Sequence, residues 1–148
     1  MLPHLEPRSE SLMESRLRMR FVLGGVPRPE AQVDLYDADG HIGRADLHLR
    51  GVVIEYDGRQ ARLDKDVFIR ERRRQTRIAE SGCELRRFTS ADVYLRPAAA
   101  VCAELLRAVT QAAGRDRSRL RAGRDTLRPP AQSPLPTLAQ VRAADEAA

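Results

Sequence analysis

Two carboxylates are expected side by side in a hairpin within residues 44–58, RADLHLRGVVIEYDG. Folding this stretch about Arg50 and Gly51 places Asp46 directly opposite Glu55. Opposed side chains in an antiparallel pair have Cβ atoms about 4.5 to 5.5 Å apart, and like charges so placed are destabilising. The two charges therefore need compensation.

The rest of the hairpin follows from the strict alternation of side chains along a strand. The apolar face pairs Leu49 with Val52, Leu47 with Ile54 and Ala45 with Tyr56. The acidic face pairs His48 with Val53, Asp46 with Glu55 and Arg44 with Asp57. His48 would lie near the carboxylates if this register holds.

A divalent cation is one way to compensate the acidic pair. Mg²⁺ typically binds to one or two carboxylates, to waters and to substrate phosphate oxygens. A metal held by Asp46 and Glu55 would remove their repulsion, lower the pKa of a bound water and neutralise charge developing on a phosphoryl group. Phosphodiester hydrolysis with Mg²⁺ or Mn²⁺ is the chemistry that such a site supports.

Ion pairs within the protein are the other way. Arg44 would then pair with Asp57, and Glu55 would pair with an arginine of the helix that follows the hairpin. Such pairs are common and contribute only about 0 to 1 kcal/mol each. Spacing alone leaves the metal site and the ion-pair network both open.

Three helices and four strands are predicted to position these residues. A first helix begins at Ser9 or Ser11, because Met13, Leu17 and Phe21 recur at i, i+4 and i+8. AQVDLY is predicted to be the first strand, and the hairpin supplies two more strands. An arginine-rich helix is then predicted over about residues 63–81. CELRRF is predicted to be a short strand, and Pro97 begins the last helix. This order predicts an α/β (α+β) domain with a mixed four-stranded sheet flanked by helices, and a core that contains the three phenylalanines.

Composition indicates one domain with a tail. A chain of 148 residues can bury a core without disulfides, and its two cysteines have no metal-binding spacing, so a reducing, cytoplasmic compartment is expected. Residues 1–8 resemble the end of a linker, and residues 9–113 form the predicted domain. Residues 114–148 contain little apolar material and are predicted to be a basic, largely disordered tail, with a short helix capped by Thr137 and Gln140.

The charge balance favours a nucleic-acid partner. Lysine and arginine number 26 against 21 aspartates and glutamates, a net charge of +5, and phosphate attraction is the usual use of a basic surface. A solvated basic face is the alternative. Neither a membrane partner nor a small-molecule cofactor is indicated, and no oligomeric state is specified.

The acidic motif and its surroundings resemble a known family. Asp46-Leu, seven residues and then Glu55-Tyr-Asp-Gly, with helical Glu14 before them and the strand ELRRF after them, resemble the restriction-endonuclease-like PD-(D/E)XK superfamily. Within it the chain is similar to uncharacterised bacterial domains related to very-short-patch-repair endonucleases. The resemblance covers about residues 9–113 and implies an αβββαβ core and Mg²⁺-dependent cleavage of DNA.

The resemblance also implies residue roles. It makes Asp46, Glu55 and the carbonyl of Tyr56 metal ligands, Glu14 an outer acid, and Asp57 or Gln60 the group that positions water. Asp57 stands where a conventional member has lysine. The DNA phosphates would be bound by Arg59, Arg62, Lys65, Arg70, Arg73, Arg74, Arg77 and Arg87.

Ala61 departs from the pattern of the related domains, which carry histidine at this position. Histidine could orient or protonate a phosphate or bind metal, and alanine can do neither. Gln60 and Lys65 are the neighbouring residues that could substitute for it. Two further expectations follow: a catalytically inactive nucleic-acid-binding or regulatory module on the same fold, or a truncated remnant of a larger winged-helix and nuclease protein.

Overall fold

A five-stranded mixed sheet with helices on both faces forms the protein. The computed structural model describes residues 12–57, 64–123, 136–137 and 139–142. Its elements are α1 (Leu12–Leu23), β1 (Glu30–Asp37), β2 (Gly40–Leu49), β3 (Val52–Tyr56), α2 (Lys65–Glu80), β4 (Glu84–Phe88), α3 (Ser90–Tyr94), α4 (Ala98–Ala113) and β5 (Arg121–Ala122).

The strand order is β4-β3-β2-β1-β5. Only β3 and β4 are parallel, because α2 connects them, whereas the other neighbouring strands are antiparallel. The predicted mixed α/β sheet is confirmed. The predicted count of four strands is wrong, because β5 forms within the segment that was expected to be a tail.

The predicted hairpin register is confirmed for the three residue pairs next to the turn. Leu49 lies opposite Val52 and Leu47 lies opposite Ile54. Arg50 and Gly51 form the turn with φ values of 45° and 84°, and two positive φ angles are what a two-residue hairpin turn that matches the strand twist requires.

Strict alternation fails near Asp46. Ala45 was expected to share a face with Leu47, but it packs in a different apolar cluster, together with Val33 of the neighbouring strand. Gln32 falls opposite Asp46, between the pairs Ala31–Leu47 and Val33–Ala45, and has φ 54°. A left-handed residue inside a strand bends the strand locally, so the side chains on either side of Asp46 no longer follow one two-residue repeat.

Two apolar cores hold helices against opposite faces of the sheet. On one face, Leu17 of α1 and Leu105 of α4 pack with Leu47 and Ile54. On the other face, Ile78 of α2 packs with apolar residues that include Val33, Leu35, Ala45 and Val53. The sheet is therefore a layer between α2 and the α1–α4 pair.

The three phenylalanines do not all belong to the core. Phe21 and Phe88 are fully buried and meet edge to face, with ring centroids 5.4 Å apart. Phe68 was expected to be buried as well, but 54% of it is exposed. It projects from the first turns of α2, on the flank of the stripe that reaches the sheet through Ile78.

The chain after α4 packs on the sheet and is not wholly a tail. Leu120 and Ala122 pack against the core on the α2 side, and Ala122 pairs with Leu35 at the free edge of β1. The segment that was expected to be a largely disordered tail therefore begins with residues that contribute a strand to the sheet.

The predicted capping box near the C-terminus is confirmed. Thr137 N–H donates to Gln140 Oε1 at 2.7 Å, and Gln140 N–H donates to Thr137 Oγ1 at 3.3 Å. Val141, in the turn that follows, is fully buried against the α1–α4 core. Within the parts of the chain that the structure describes, no helix combines the length and the apolar character needed to cross a bilayer.

His48 lies in an unfavourable position for a charge. It pairs with Val53 in the hairpin, and its Nε2 atom is buried with no hydrogen-bond partner among the described residues. Burial, with a further contribution from the charge of Arg117, lowers the pKa of His48 to about 4. The ring is therefore neutral in the folded protein near neutral pH.

Acidification is expected to destabilise the fold through His48. The unfolded chain takes up a proton near pH 6.5 and the folded chain only near pH 4, so the stability present above the higher value is lost as the pH falls through this interval. The full loss is about 3 kcal/mol. Urea denaturation of wild type and His48→Leu across this range should show a shallower pH dependence for the variant, and parallel curves would contradict this account.

Candidate functional site

Glu55 forms the centre of a charged cluster at the end of β3. Its Oε1 atom forms an ion pair with Arg74 Nη2 of α2, and its Oε2 atom lies 3.5 Å from Arg87 Nη2 of the neighbouring strand β4. The side chains of Glu55 and Arg74 are only 15% and 17% exposed. This partial burial strengthens the Coulomb attraction between the two groups, because solvent screens it less, and it makes the loss of either partner more costly.

Glu71 connects the two arginines. Its Oε1 atom lies 2.5 Å from Arg87 Nη2 and 3.4 Å from Arg74 Nη1. Glu71 and Arg74 are three residues apart on α2, a spacing at which side chains meet on one helix face. Positive and negative groups thus alternate through Glu55, Arg74, Glu71 and Arg87.

Asp46 joins the cluster from β2. Its Oδ2 atom accepts a hydrogen bond from Tyr56 N–H at 3.0 Å, so the carboxylate of Asp46 is turned toward β3. Burial by itself would lower the pKa of Arg74, but the hydrogen bond to Glu55 and the negative charges of Glu55, Glu71 and Asp46 together raise it. The carboxylates of Asp46, Glu55 and Glu71 thus lie around the guanidinium group of Arg74.

Close backbone packing fixes Arg74 in place. A Cβ atom added at Gly43 would lie 2.5 Å from Arg74 Nε, so a larger residue at that point of β2 would force the Arg74 side chain to shift. Arg74 Nη2 also donates to the carbonyl of Arg44 at 3.2 Å. These contacts hold the guanidinium against the strands that carry Asp46 and Glu55.

Glu14 approaches this region from the other face of the sheet. Its Oε2 atom accepts a hydrogen bond from Gln32 Nε2 at 3.1 Å. Gln32 is the kinked residue that lies opposite Asp46 in the pairing of β1 with β2. The structure thereby connects Glu14 to the strand position beside Asp46.

The other residues proposed to act on water or metal are placed differently. Asp57 is exposed, and its N–H donates to the carbonyl of Phe88 at 2.8 Å. Tyr56 contributes its N–H to Asp46, as described above. Gln60, Ala61, Arg59 and Arg62 lie outside the described residues.

The cations predicted to bind DNA fall into two groups. Lys65, Arg70 and Arg73 are exposed along α2. Arg74 and Arg87 instead contact the carboxylates of the cluster, and Arg77 donates to Asp37 at 2.6 Å. The second group is committed to protein carboxylates in this structure.

A separate ion-pair group lies on β1 and β2. Arg44 Nε lies 3.2 Å and His41 Nε2 lies 3.1 Å from Asp34 Oδ1. The hydrogen bond from Arg44 is the largest of several causes that lower the pKa of Asp34. The ion-pair alternative from the sequence is therefore right in pairing Glu55 with an arginine of α2, whereas Arg44 pairs with Asp34 and not with Asp57.

The cluster contains residues that the sequence analysis did not assign to a site. Glu71 and Gln32 were not candidates, and Arg74 was expected to bind phosphate. One signal was present: Arg74 precedes Ile78 by four residues, so the two side chains share a helix face, and Ile78 is buried against the sheet. An arginine on an inward-facing stripe requires a carboxylate partner, because an unpaired buried charge is costly.

The donor set suits a hard cation only in part. Asp46 and Glu55 supply carboxylate oxygens on adjacent strands, which are the ligand type that Mg²⁺ prefers. Within residues 12–57, 64–123 and the two short C-terminal pieces, however, no group of three or more His, Cys, Asp or Glu side chains is arranged to hold a metal ion. A cation at the pair would need Arg74 to leave Glu55.

Comparison with known proteins adds no relative. No protein-family model matches the chain, and neither the curated proteins nor the solved structures contain a match. The resemblance to the PD-(D/E)XK superfamily therefore stays a prediction from the sequence.

Removal of the Arg74 guanidinium is expected to destabilise the protein. Arg74→Gln leaves Glu55 and Asp46 partly buried without their shared cation, and we expect a loss of about 1 to 3 kcal/mol, between the values for exposed and buried pairs. Arg73→Gln removes the same charge from the exposed side of α2 and should change stability by less than about 0.5 kcal/mol. Urea unfolding of the two variants measures the difference, and equal values would show that Arg74 is a surface cation.

Proposed function

We propose that this chain is an endonuclease-like domain of the PD-(D/E)XK kind, which hydrolyses phosphodiester bonds of DNA with Mg²⁺ or Mn²⁺. One observation supports it above the others: the carboxylates of Asp46 and Glu55, on adjacent strands, both act on the guanidinium of Arg74. Glu14 reaches the neighbouring strand position through Gln32. A reducing, cytoplasmic setting is part of the same proposal.

The two carboxylates and the Tyr56 carbonyl would hold the metal ion. When bound, the metal would neutralise charge on the phosphoryl group and lower the pKa of a water. Arg74 would then be displaced from Glu55, and its planar fork of donors could bind a phosphate instead. In this proposal Arg74 compensates the acidic pair until substrate and metal arrive.

A second candidate is a nucleic-acid-binding or regulatory module that does not cleave. Arg74 and Arg87 already lie against carboxylates of the cluster, so the need for an added cation is smaller than the sequence predicts. Ala61 in place of the histidine of related domains favours the same candidate. A remnant of a larger nuclease would have the same properties.

Metal binding can be separated from the ion-pair network by thermal melts. If Arg74 and the metal compete for Glu55, Mg²⁺ or Mn²⁺ should stabilise Arg74→Gln more than wild type, since a ligand at a hundredfold excess over Kd contributes about 2.7 kcal/mol. Asp46→Asn should abolish both shifts. Asp39→Asn, which removes a carboxylate from the turn between β1 and β2, should leave them unchanged.

Equal melting temperatures with and without metal in both wild type and Arg74→Gln would rule out a metal site at this pair. The ion-pair network would then account for the cluster by itself. The non-catalytic candidate would be favoured.

Cleavage of DNA is the direct test of the proposed activity. With Mn²⁺, we expect wild type to cleave duplex, mismatched or single-stranded DNA slowly and Ala61→His to cleave it faster, because histidine adds a group that can orient or protonate a phosphate. Glu55→Ala is the negative control. Activity in Ala61→His alone would identify the wild type as the non-catalytic module, and no activity in either protein would contradict the nuclease proposal.

A further inference from the structure

We propose that the exposed flank of α2 formed by Lys65, Phe68 and Arg72 binds single-stranded DNA, with an unpaired base stacked on the ring of Phe68. This inference rests on the proposed nucleic-acid function and names the form of substrate that it accepts. The three residues are called the α2 flank below.

The exposure of Phe68 is the first observation. With 54% of the residue exposed, its ring is open to solvent, whereas the other two phenylalanines are fully buried. A single exposed apolar side chain is common on protein surfaces and needs no function. The cations on either side of Phe68 are what indicate a binding role for its ring.

A cation lies over this ring. The guanidinium carbon of Arg72 is 5.8 Å from the centroid of the Phe68 ring, which is within the range of a cation–π contact. Lys65 precedes Phe68 by three residues and Arg72 follows it by four, and these spacings place all three side chains on one flank of a helix. Lys65 and Arg72 are also exposed. The ring of Phe68 could therefore stack on a nucleobase, while the two cations contact the phosphates on either side of that base.

The α2 flank lies close to the acidic cluster along the helix. Phe68 precedes Glu71 by three residues and Arg74 by six, which corresponds to about 4.5 and 9 Å along the axis. At about 100° of rotation per residue, Arg74 projects about 120° around the helix from Phe68. The α2 flank is therefore a surface beside the acidic cluster and not a part of it.

Single-stranded DNA fits this surface better than duplex DNA. A base can expose its π face to a side chain on a helix surface only when it is unstacked, and proteins that bind single strands combine such aromatic platforms with basic residues that follow the backbone. A duplex offers the α2 flank its phosphates but no base face. We therefore expect Phe68 to contribute to the binding of single strands and not to the binding of duplexes.

Fluorescence anisotropy in EDTA, with a labelled oligodeoxythymidine of about twelve nucleotides, tests this inference without any cleavage. We expect Phe68→Leu to weaken binding about tenfold, because leucine keeps an apolar side chain but has no π face, and Phe68→Trp to retain it. Ile69→Ala, a change of a neighbouring exposed apolar residue, should have little effect. Binding of a duplex with the same label should not respond to Phe68→Leu.

The salt dependence of DNA binding distinguishes the contribution of the Phe68 ring from that of the cations. Arg72→Gln should reduce the slope of log K against log[salt] by about one unit, and Phe68→Leu should leave the slope unchanged. Arg107→Gln, on α4 at the other face of the sheet, is the matched charge control and should leave the slope near the wild-type value.

Equal affinity of wild type and Phe68→Leu for the single strand would overturn the inference, and so would a wild type that binds duplex more tightly. The outcome is independent of hydrolysis. Loss of binding in Phe68→Leu without any metal-dependent cleavage would support the α2 flank and contradict the nuclease activity, whereas cleavage with an unaffected Phe68→Leu would do the reverse.

Discussion

The compensation of negative charge at the end of β3 is the constraint on which the site depends. Asp46, Glu55 and Glu71 bring three carboxylates to a partly enclosed place, where solvent screens their repulsion less than at the surface. Arg74 and Arg87 supply the compensating charge. The identity of Gly43, which leaves room for the Arg74 guanidinium, follows from the same requirement.

The fold supplies this place through three local features. The hairpin brings β2 and β3 together in a fixed register, the kink at Gln32 turns the strands near Asp46, and the Asp46 carboxylate takes the N–H of Tyr56. Helix α2 packs on one face of the sheet, where Ile78 lies in the apolar core and Arg74 contacts the carboxylates. Apolar packing on both faces of the sheet determines where α2 lies, and α2 determines which arginines reach the acids and which remain exposed.

Much of this fold could be predicted from the sequence, because it depends on residues that are close together in the chain. The turn at Arg50 and Gly51, the order of strands and the capping box at Thr137 and Gln140 depend on residues close in the chain, and the structure has each of them. The errors involve contacts between distant segments. Residues 115–123 are mostly polar, yet Ala122 pairs with the open edge of β1. Which arginine of α2 pairs with Glu55 depends on how the helix packs on the sheet, and the sequence does not specify this packing. Phe68 was assigned to the core because its residue type suggests burial, but its position on the helix exposes it.

The central claim is that Arg74 and Glu55 act on each other as a pair within the acidic cluster. A double-mutant cycle with Arg74→Gln, Glu55→Gln and the double variant, measured by urea unfolding, tests it most directly. We predict a coupling free energy above about 1 kcal/mol, because each single variant leaves the other charge partly buried and the double variant removes both charges. Free energies that add to within about 0.5 kcal/mol would contradict the claim, since that is the behaviour of independent sites.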